Sequence, residues 1–219
     1  MNNSIVIKKY KNSVTRKYIS VSNDEIDTIK KGDYWFSKKI DGQLWFYCKT
    51  TKNSKIINSN ENDISNLVKD IKKDLDKKLS KSKNIIIAGE LYFLTKDRER
   101  YGDTISALGD NSKKKNLRLG IFDVVASDKF LSNFEKKYKF LKKTLGKNLK
   151  DFSHVFEHKK IKQKEINKLF KEIVIKDNAE GLIIKNDSVV YKIKKEETAD
   201  LLITGYTLGV SLIRLDRFL

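Results

Sequence analysis

The residues with chemical potential in this chain are a few polar side chains set inside apolar runs. Lys39 stands in Lys39-Ile40-Asp41-Gly42, between Tyr34-Trp35-Phe36-Ser37-Lys38 and Gln43-Leu44-Trp45-Phe46-Tyr47-Cys48. Bulky apolar residues on both sides of a glycine-containing corner read as strand, tight turn, strand. A lysine held at such a corner, among other cations and apolar walls, can lose its proton near neutral pH and become a nucleophile. Glu90 interrupts the apolar run NIIIAGELYFL at 84–94. A carboxylate there must be paired, bound to metal or facing a cleft, because burying it alone is too costly. Towards the end of the chain, Glu180 lies in AEGLIIKN (179–186), and Lys192 and Lys194 follow in SVVYKIKK (188–195). Strand alternation puts Lys192 and Lys194 on one face, as joint contact with a phosphate requires.

No GxxxxGK[ST] phosphate loop occurs, and no GxGxxG follows a strand, so a bound nucleotide must be held by side chains projecting from strands. His154 and His158 flank Glu157 in HVFEH at a spacing that suits a helical zinc site. Their surroundings, FSHVFEHKKI, read as a strand, and catalytic zinc needs a third protein ligand. Both histidines are expected at the surface.

The 219 residues can bury a sizeable core, and 39% hydrophobic content suits a folded protein despite 35% charged residues. A net charge of +18 points to a polyanionic partner, nucleic acid before membrane. A compositional bias towards lysine, asparagine and isoleucine, with no proline, would give the same excess. Cys48 is the only cysteine, which excludes a disulfide framework and a multi-cysteine metal site and fits a reducing compartment. The start, MNNSIVIKKYKNS, has no apolar stretch long enough for a signal peptide or membrane span. A cytoplasmic protein is the expectation.

The elements that must position these residues mix strands and helices. Ile5-Val6-Ile7 is a short strand candidate, and Lys55-Ile56-Ile57 adds a strand after the expected hairpin at Lys39–Gly42. Ile64, Leu67, Val68, Ile71, Leu75 and Leu79 line one face of a helix over 62–81. Strands are expected over 84–94 and 117–125, with a helical turn around Ile105 to Leu108. Phe134, Tyr138, Leu141 and Leu145 mark a helix closed by Gly146. A strand near Phe152–Phe156 and a helix carrying Ile166, Leu169, Phe170 and Ile173 follow. Residues 179–186 and 188–195 form a hairpin turning at Asn186-Asp187, and DLLITGYT (200–207) reads as one more strand. Short connections between strands favour α+β with antiparallel sheets over a doubly wound parallel fold.

Taken in order, Lys39 in KIDG, Glu90 in AGELY, Phe122 in IFDVV, Glu180 in AEGLIIK and the Lys192/Lys194 pair in YKIKK resemble the five nucleotidyltransferase motifs of the ATP-dependent polynucleotide ligase and mRNA-capping superfamily. The resemblance covers about residues 30–207. EGLIIK followed by KxK is its more specific part and looks like the ATP-dependent DNA ligases, because capping enzymes usually open that motif with aspartate. The implied fold is α+β, with antiparallel sheets flanked by helices in the ATP-grasp-like ligase nucleotidyltransferase arrangement.

By similarity, Lys39 attacks the α-phosphate of ATP to form lysyl-AMP, and Lys192 and Lys194 stabilise the charge that develops there. The resemblance assigns Glu90 and Glu180 to Mg2+ or Mn2+, which prefer hard oxygen ligands, with Glu90 also facing the ribose. It places Phe122 against the adenine, Ser37 at the purine edge, and Asp41 and Gly42 in the nucleotide-binding loop. Two departures stand out. The DNA ligase pattern KxDGxR has Leu44 at its last position here, and Ser59-Asn60 stands where a Ser-Arg pair is common. The implied substrate is a nick with a 5′-phosphate, in DNA before RNA. A binding relic without turnover is the alternative from another class, and a capping guanylyltransferase ranks lower. In the ligase family an oligonucleotide-binding barrel follows KxK. The expectation is therefore a nucleotidyltransferase domain at 1–207 and a truncated lead-in at 208–219, with a partner supplying the barrel and the chain itself a monomer.

Overall fold

The computed structural model describes residues 3–14, 17–129 and 131–195. It contains two five-stranded sheets, ordered β1-β10-β9-β2-β8 and β4-β3-β5-β6-β7. The first is built from β1 (Ile19–Val21), β2 (Asp33–Lys39), β8 (Lys159–Lys162), β9 (Gly181–Lys185) and β10 (Val190–Lys194). The second comprises β3 (Gln43–Lys49), β4 (Ser54–Ile57), β5 (Ile85–Phe93), β6 (Leu117–Ser127) and β7 (Ser153–Val155). Most neighbours are antiparallel, but β1 runs parallel to β10 and β6 runs parallel to β7. The fold is α+β. The strand expected at 200–207 and the lead-in at 208–219 lie outside the described residues.

The Lys39–Gly42 corner is not a hairpin. β2 pairs with β8 and β9, whereas β3 pairs with β4 and β5, so the corner carries the chain from one sheet into the other. Alternation then sorts each strand. On the first sheet Tyr34, Phe36, Leu182, Ile184, Tyr191 and Ile193 face a core completed by Ile26, Ile166 and Phe170. The opposite face carries Ser37, Lys39, Lys185, Lys192 and Lys194. On the second sheet Tyr47, Ile85, Ile87, Leu119 and Ile121 pack under α2 (Lys69–Lys78) and α4 (Phe134–Leu145), which bury Ile71, Leu75, Tyr138 and Leu141.

The other face of the second sheet meets α1 (Asn3–Ser13), which replaces the strand expected at Ile5–Ile7. Ile7 and Tyr10, one helical turn apart, bury against Phe46, Cys48, Ile86 and Ala88. A three-residue β-like run could not bury both. Helix α2 is shorter than 62–81, because the segment before it is tied to β4. Ile64 N donates to the Ile56 carbonyl at 3.0 Å and Ile56 N donates to Ser65 Oγ at 2.8 Å, leaving Leu67 exposed. Helix α4 starts where the Asn133 side chain accepts from Lys136 N and ends at Gly146, whose φ of 72° suits glycine. Helix α3 spans Tyr101–Gly109, and α5 (Ile166–Phe170) continues into a π-helical turn over Lys171–Lys176.

The two histidines are buried, not at the surface: His154 is 0% and His158 5% exposed. His154 Nε2 shares a hydrogen bond with Tyr92 Oη at 3.1 Å, and His158 Nδ1 donates to the Phe156 carbonyl at 2.9 Å. The chain around them breaks between β7 and β8, which turns both rings inward among Phe134, Tyr138 and Phe156.

Candidate active site

Three cross-strand rows make up the polar face of the first sheet. Trp35, Lys185 and Val190 lie abreast, then Ser37, Ile183, Lys192 and Ser20, then Lys39, Gly181 and Lys194. Residues directly opposite each other share a face, so this register gathers Lys39, Lys192 and Lys194 from distant parts of the chain. Gly181 separates two of them; a Cβ there would sit 2.3 Å from the Ile193 carbonyl oxygen. Immediately before it, Glu180 accepts from Lys39 Nζ with one carboxylate oxygen and from Lys194 Nζ with the other at 2.6 Å. Burial pulls the Glu180 pKa upward, but hydrogen bonds from Lys194 and Lys39 outweigh it and hold the carboxyl below its ordinary range.

Glu90 comes from the second sheet, in register between Leu44 and Gly120. Burial pushes its carboxyl up to about 7; Lys39 and Lys192 oppose that rise, and Glu180 and Asp41 add to it. Burial lowers the Lys192 pKa, with Lys39 and Lys194 acting in the same direction. The corner is held from outside by the start of α3. Asp41 Oδ2 accepts from Tyr101 N at 3.3 Å, Gln43 Nε2 donates to Tyr101 Oη at 3.0 Å, and Lys38 pairs with Glu99 at 3.0 Å. Gly42 lies so close to β5 that a Cβ would meet the Leu91 carbonyl oxygen at 2.3 Å and Glu90 Cγ at 2.9 Å.

The structure thus brings together Lys39, Asp41, Gly42, Glu90, Glu180, Lys192 and Lys194. Ser37 is buried one row along the same face. Phe122 lies on β6 of the second sheet, not in the cross-strand rows of the first. Its ring packs with Ile7, Tyr10 and Phe46 beneath α1, and its carbonyl accepts from Lys185 Nζ at 3.4 Å. Leu44, in the same apolar cluster, takes up the space beside Glu90. Ser59 accepts from Lys11 Nζ at 2.8 Å, which ties that loop to α1.

Sequence reasoning did not single out Tyr10, Tyr18, Asp123 or Lys185. Asp123 accepts from Tyr10 Oη at 2.9 Å and from Lys137 Nζ at 3.1 Å. The Lys192 amine lies 4.5 Å from the centre of the Tyr18 ring. Burial raises the Tyr18 pKa, and the charges of Asp123 and Glu90 raise it further. Lys185 is buried, its amine 3.7 Å from the Phe134 ring centre, and burial lowers its pKa to about 8. Its place in EGLIIK was the available signal; the tyrosines sit in a lysine-rich stretch with no periodic pattern.

The model of the ATP dependent DNA ligase domain family matches residues 16–202. The chain belongs to that family. Solved ligases share its fold. The structure named Pmar-Lig_Pre superposes with a TM-score of 0.60 at 15% identity, covering 87% of this chain and 48% of that one. The ATP-dependent DNA ligase from bacteriophage T7 in complex with ATP gives 0.55 at 15% identity, covering 85% of this chain and 67% of that one. An archaeal ATP-dependent RNA ligase gives 0.54 at 11% identity, covering 78% and 44%. This ligase-family chain spans about half the length of the first solved ligases it matches. No curated protein sequence matches it. No helix among its described residues is long and apolar enough to cross a membrane.

Proposed function

We propose that residues 1–207 are the adenylating domain of an ATP-dependent polynucleotide ligase acting on DNA. Supporting this reading is one observation: the Glu180 carboxylate lies between the amines of Lys39 and Lys194, within electrostatic reach of Glu90. In the proposed step the Lys39 Nζ lone pair attacks the α-phosphorus of ATP. The bond from that phosphorus to the bridging oxygen breaks, and pyrophosphate leaves with the electron pair. The amine proton departs to solvent as the phosphoramidate forms, and Glu180 holds the Lys39 amine through its hydrogen bond. Lys192 and Lys194 neutralise the charge gathering on the phosphate. The AMP then passes to a 5′-phosphate, and a 3′-hydroxyl displaces it.

The hard oxygens of Glu90 and Glu180 fit Mg2+ or Mn2+ when nucleotide phosphates complete the shell, since Mg2+ is commonly held by one or two carboxylates plus substrate oxygens. Among the described residues no three His, Cys, Asp or Glu side chains are grouped for metal without them. Such an ion would neutralise phosphate charge. Asp41 positions the corner through α3, Ser37 reads the purine edge and Phe122 stacks on the base. The net charge of +18 suits a nicked duplex. The chain acts as a monomer inside the cell.

The test is a sealing assay with ATP and Mg2+ on nicked duplexes whose strands are all DNA, all RNA or mixed. Joining of DNA nicks is the expected result. Joining confined to RNA ends would move the chain to the RNA ligases, and failure on every substrate carrying a 5′-phosphate would remove the ligase reading.

A further inference from the structure

Lys39, Lys192 and Lys194 crowd one end of the polar face, yet they do not share the same partner. The two oxygens of Glu180 receive Lys39 and Lys194. Lys192, in the neighbouring row, lies instead over the ring of Tyr18, 4.5 Å from its centre. The backbone sets up this contact. β1 runs parallel to β10 with Ser20 opposite Lys192, and Tyr18, two residues before Ser20, falls on the same side of the sheet. The Tyr18 hydroxyl is largely desolvated and lies within electrostatic reach of Tyr10, Asp123 and Glu90. An aromatic face attracts an ammonium without neutralising it, so Lys192 keeps its charge for another anion. A carboxylate in the same place would bind the amine and compete with a phosphate.

We propose that Tyr18 is a positioning residue for adenylation: its ring face holds the Lys192 amine beside Lys39 before the nucleotide arrives. This rests on the lysyl-AMP reading above. Four rotatable bonds give a free lysine many positions, and holding the amine in one lowers the entropy lost on reaching the transition state. Tyr18 touches neither the attacking nitrogen nor the phosphorus in this account; it acts through Lys192.

The test measures the rate of lysyl-AMP formation by the full chain at saturating ATP and Mg2+, together with thermal melting. Tyr18→Leu is expected to slow the rate roughly tenfold, the scale of a partly desolvated cation–π contact. Tyr18→Phe, which keeps the ring, should restore most of that loss. Combining Tyr18→Leu with Lys192→Ala should be no slower than Lys192→Ala alone. Should Tyr18→Leu fail to fold, phenylalanines with increasing ring fluorination placed at position 18 keep the shape while weakening the face. The rate should then fall stepwise with fluorination. A rate indifferent to fluorination, or a faster Tyr18→Leu enzyme in which the ring had merely competed for the amine, overturns the proposal. If the wild-type chain forms no lysyl-AMP, the adenylation reading fails and this one falls with it. Adenylation in the wild type with indifferent Tyr18 variants removes only the role of Tyr18.

Discussion

Lys39 and Glu180 are far apart in the chain, yet Lys39 stands opposite Gly181 across β2 and β9, and its amine donates to the Glu180 carboxylate. The same register packs Phe36 and Ile184 into the core on the other face. A slip of one residue would send Lys39 into that core and Phe36 into the cleft. Fold stability and site assembly therefore depend on one strand pairing.

Gly42 is required for close approach, not for an unusual backbone angle. Gly42→Ala would drive its Cβ against the Leu91 carbonyl and Glu90 Cγ, at 2.3 and 2.9 Å. The expected cost is about 1–3 kcal/mol of stability, the usual penalty for overpacking. Urea unfolding should show a lower midpoint, and ATP labelling should fall because Glu90 is displaced.

Phe122 separates two roles that share one ring. Phe122→Leu keeps apolar volume beside Ile7, Tyr10 and Phe46 but removes the aromatic face. If the ring stacks on adenine, the KM for ATP should rise about tenfold, since a base–aromatic stack is worth about 1–3 kcal/mol. Melting should change little. An unchanged KM would leave Phe122 as part of the apolar cluster beneath α1 alone.

His154 should make the protein acid-sensitive. Burial lowers its pKa to about 4, against an ordinary 6.5. The folded state therefore binds fewer protons than the unfolded one below pH 6.5, and stability falls as the pH drops from there towards 4. At pH 5 the loss from this residue is about 2 kcal/mol. His154→Gln should lack that slope, so its stability deficit against wild type should shrink on acidification. His158 is lowered in the same direction, while Glu90, raised to about 7, contributes stability that is lost as pH rises through that value. Both are common to the two proteins and cancel in the difference. A constant deficit between pH 7 and 5 would count against a neutral, buried His154.

The charged residues were legible because apolar strands make a lone Glu90 or a Lys192/Lys194 pair conspicuous. The β9–β10 hairpin was legible because its strands are neighbours in sequence. The corner at Lys39–Gly42 was misread for the opposite reason. Local pattern shows two strands and a turn, but the partners of β2 come from the far end of the chain. Helix α1 was missed because the apolar face of Ile7 and Tyr10 makes sense only against Phe46 and Ala88. The histidines were misplaced since their burial depends on aromatic neighbours from α4 and β5. Tyr18 gave no signal, because its contact with Lys192 joins two ends of the chain.

The most direct measurement is incubation of the intact protein with Mg2+ and ATP labelled at the α-phosphate, followed by peptide mapping. A single covalent AMP is expected on the peptide containing Lys39, with pyrophosphate released. No label is expected on Lys39→Arg, whose melting should match wild type, because a guanidinium keeps its charge and its proton and cannot attack phosphorus. Label retained in Lys39→Arg, or mapped to another lysine, would rule out Lys39 as the nucleophile.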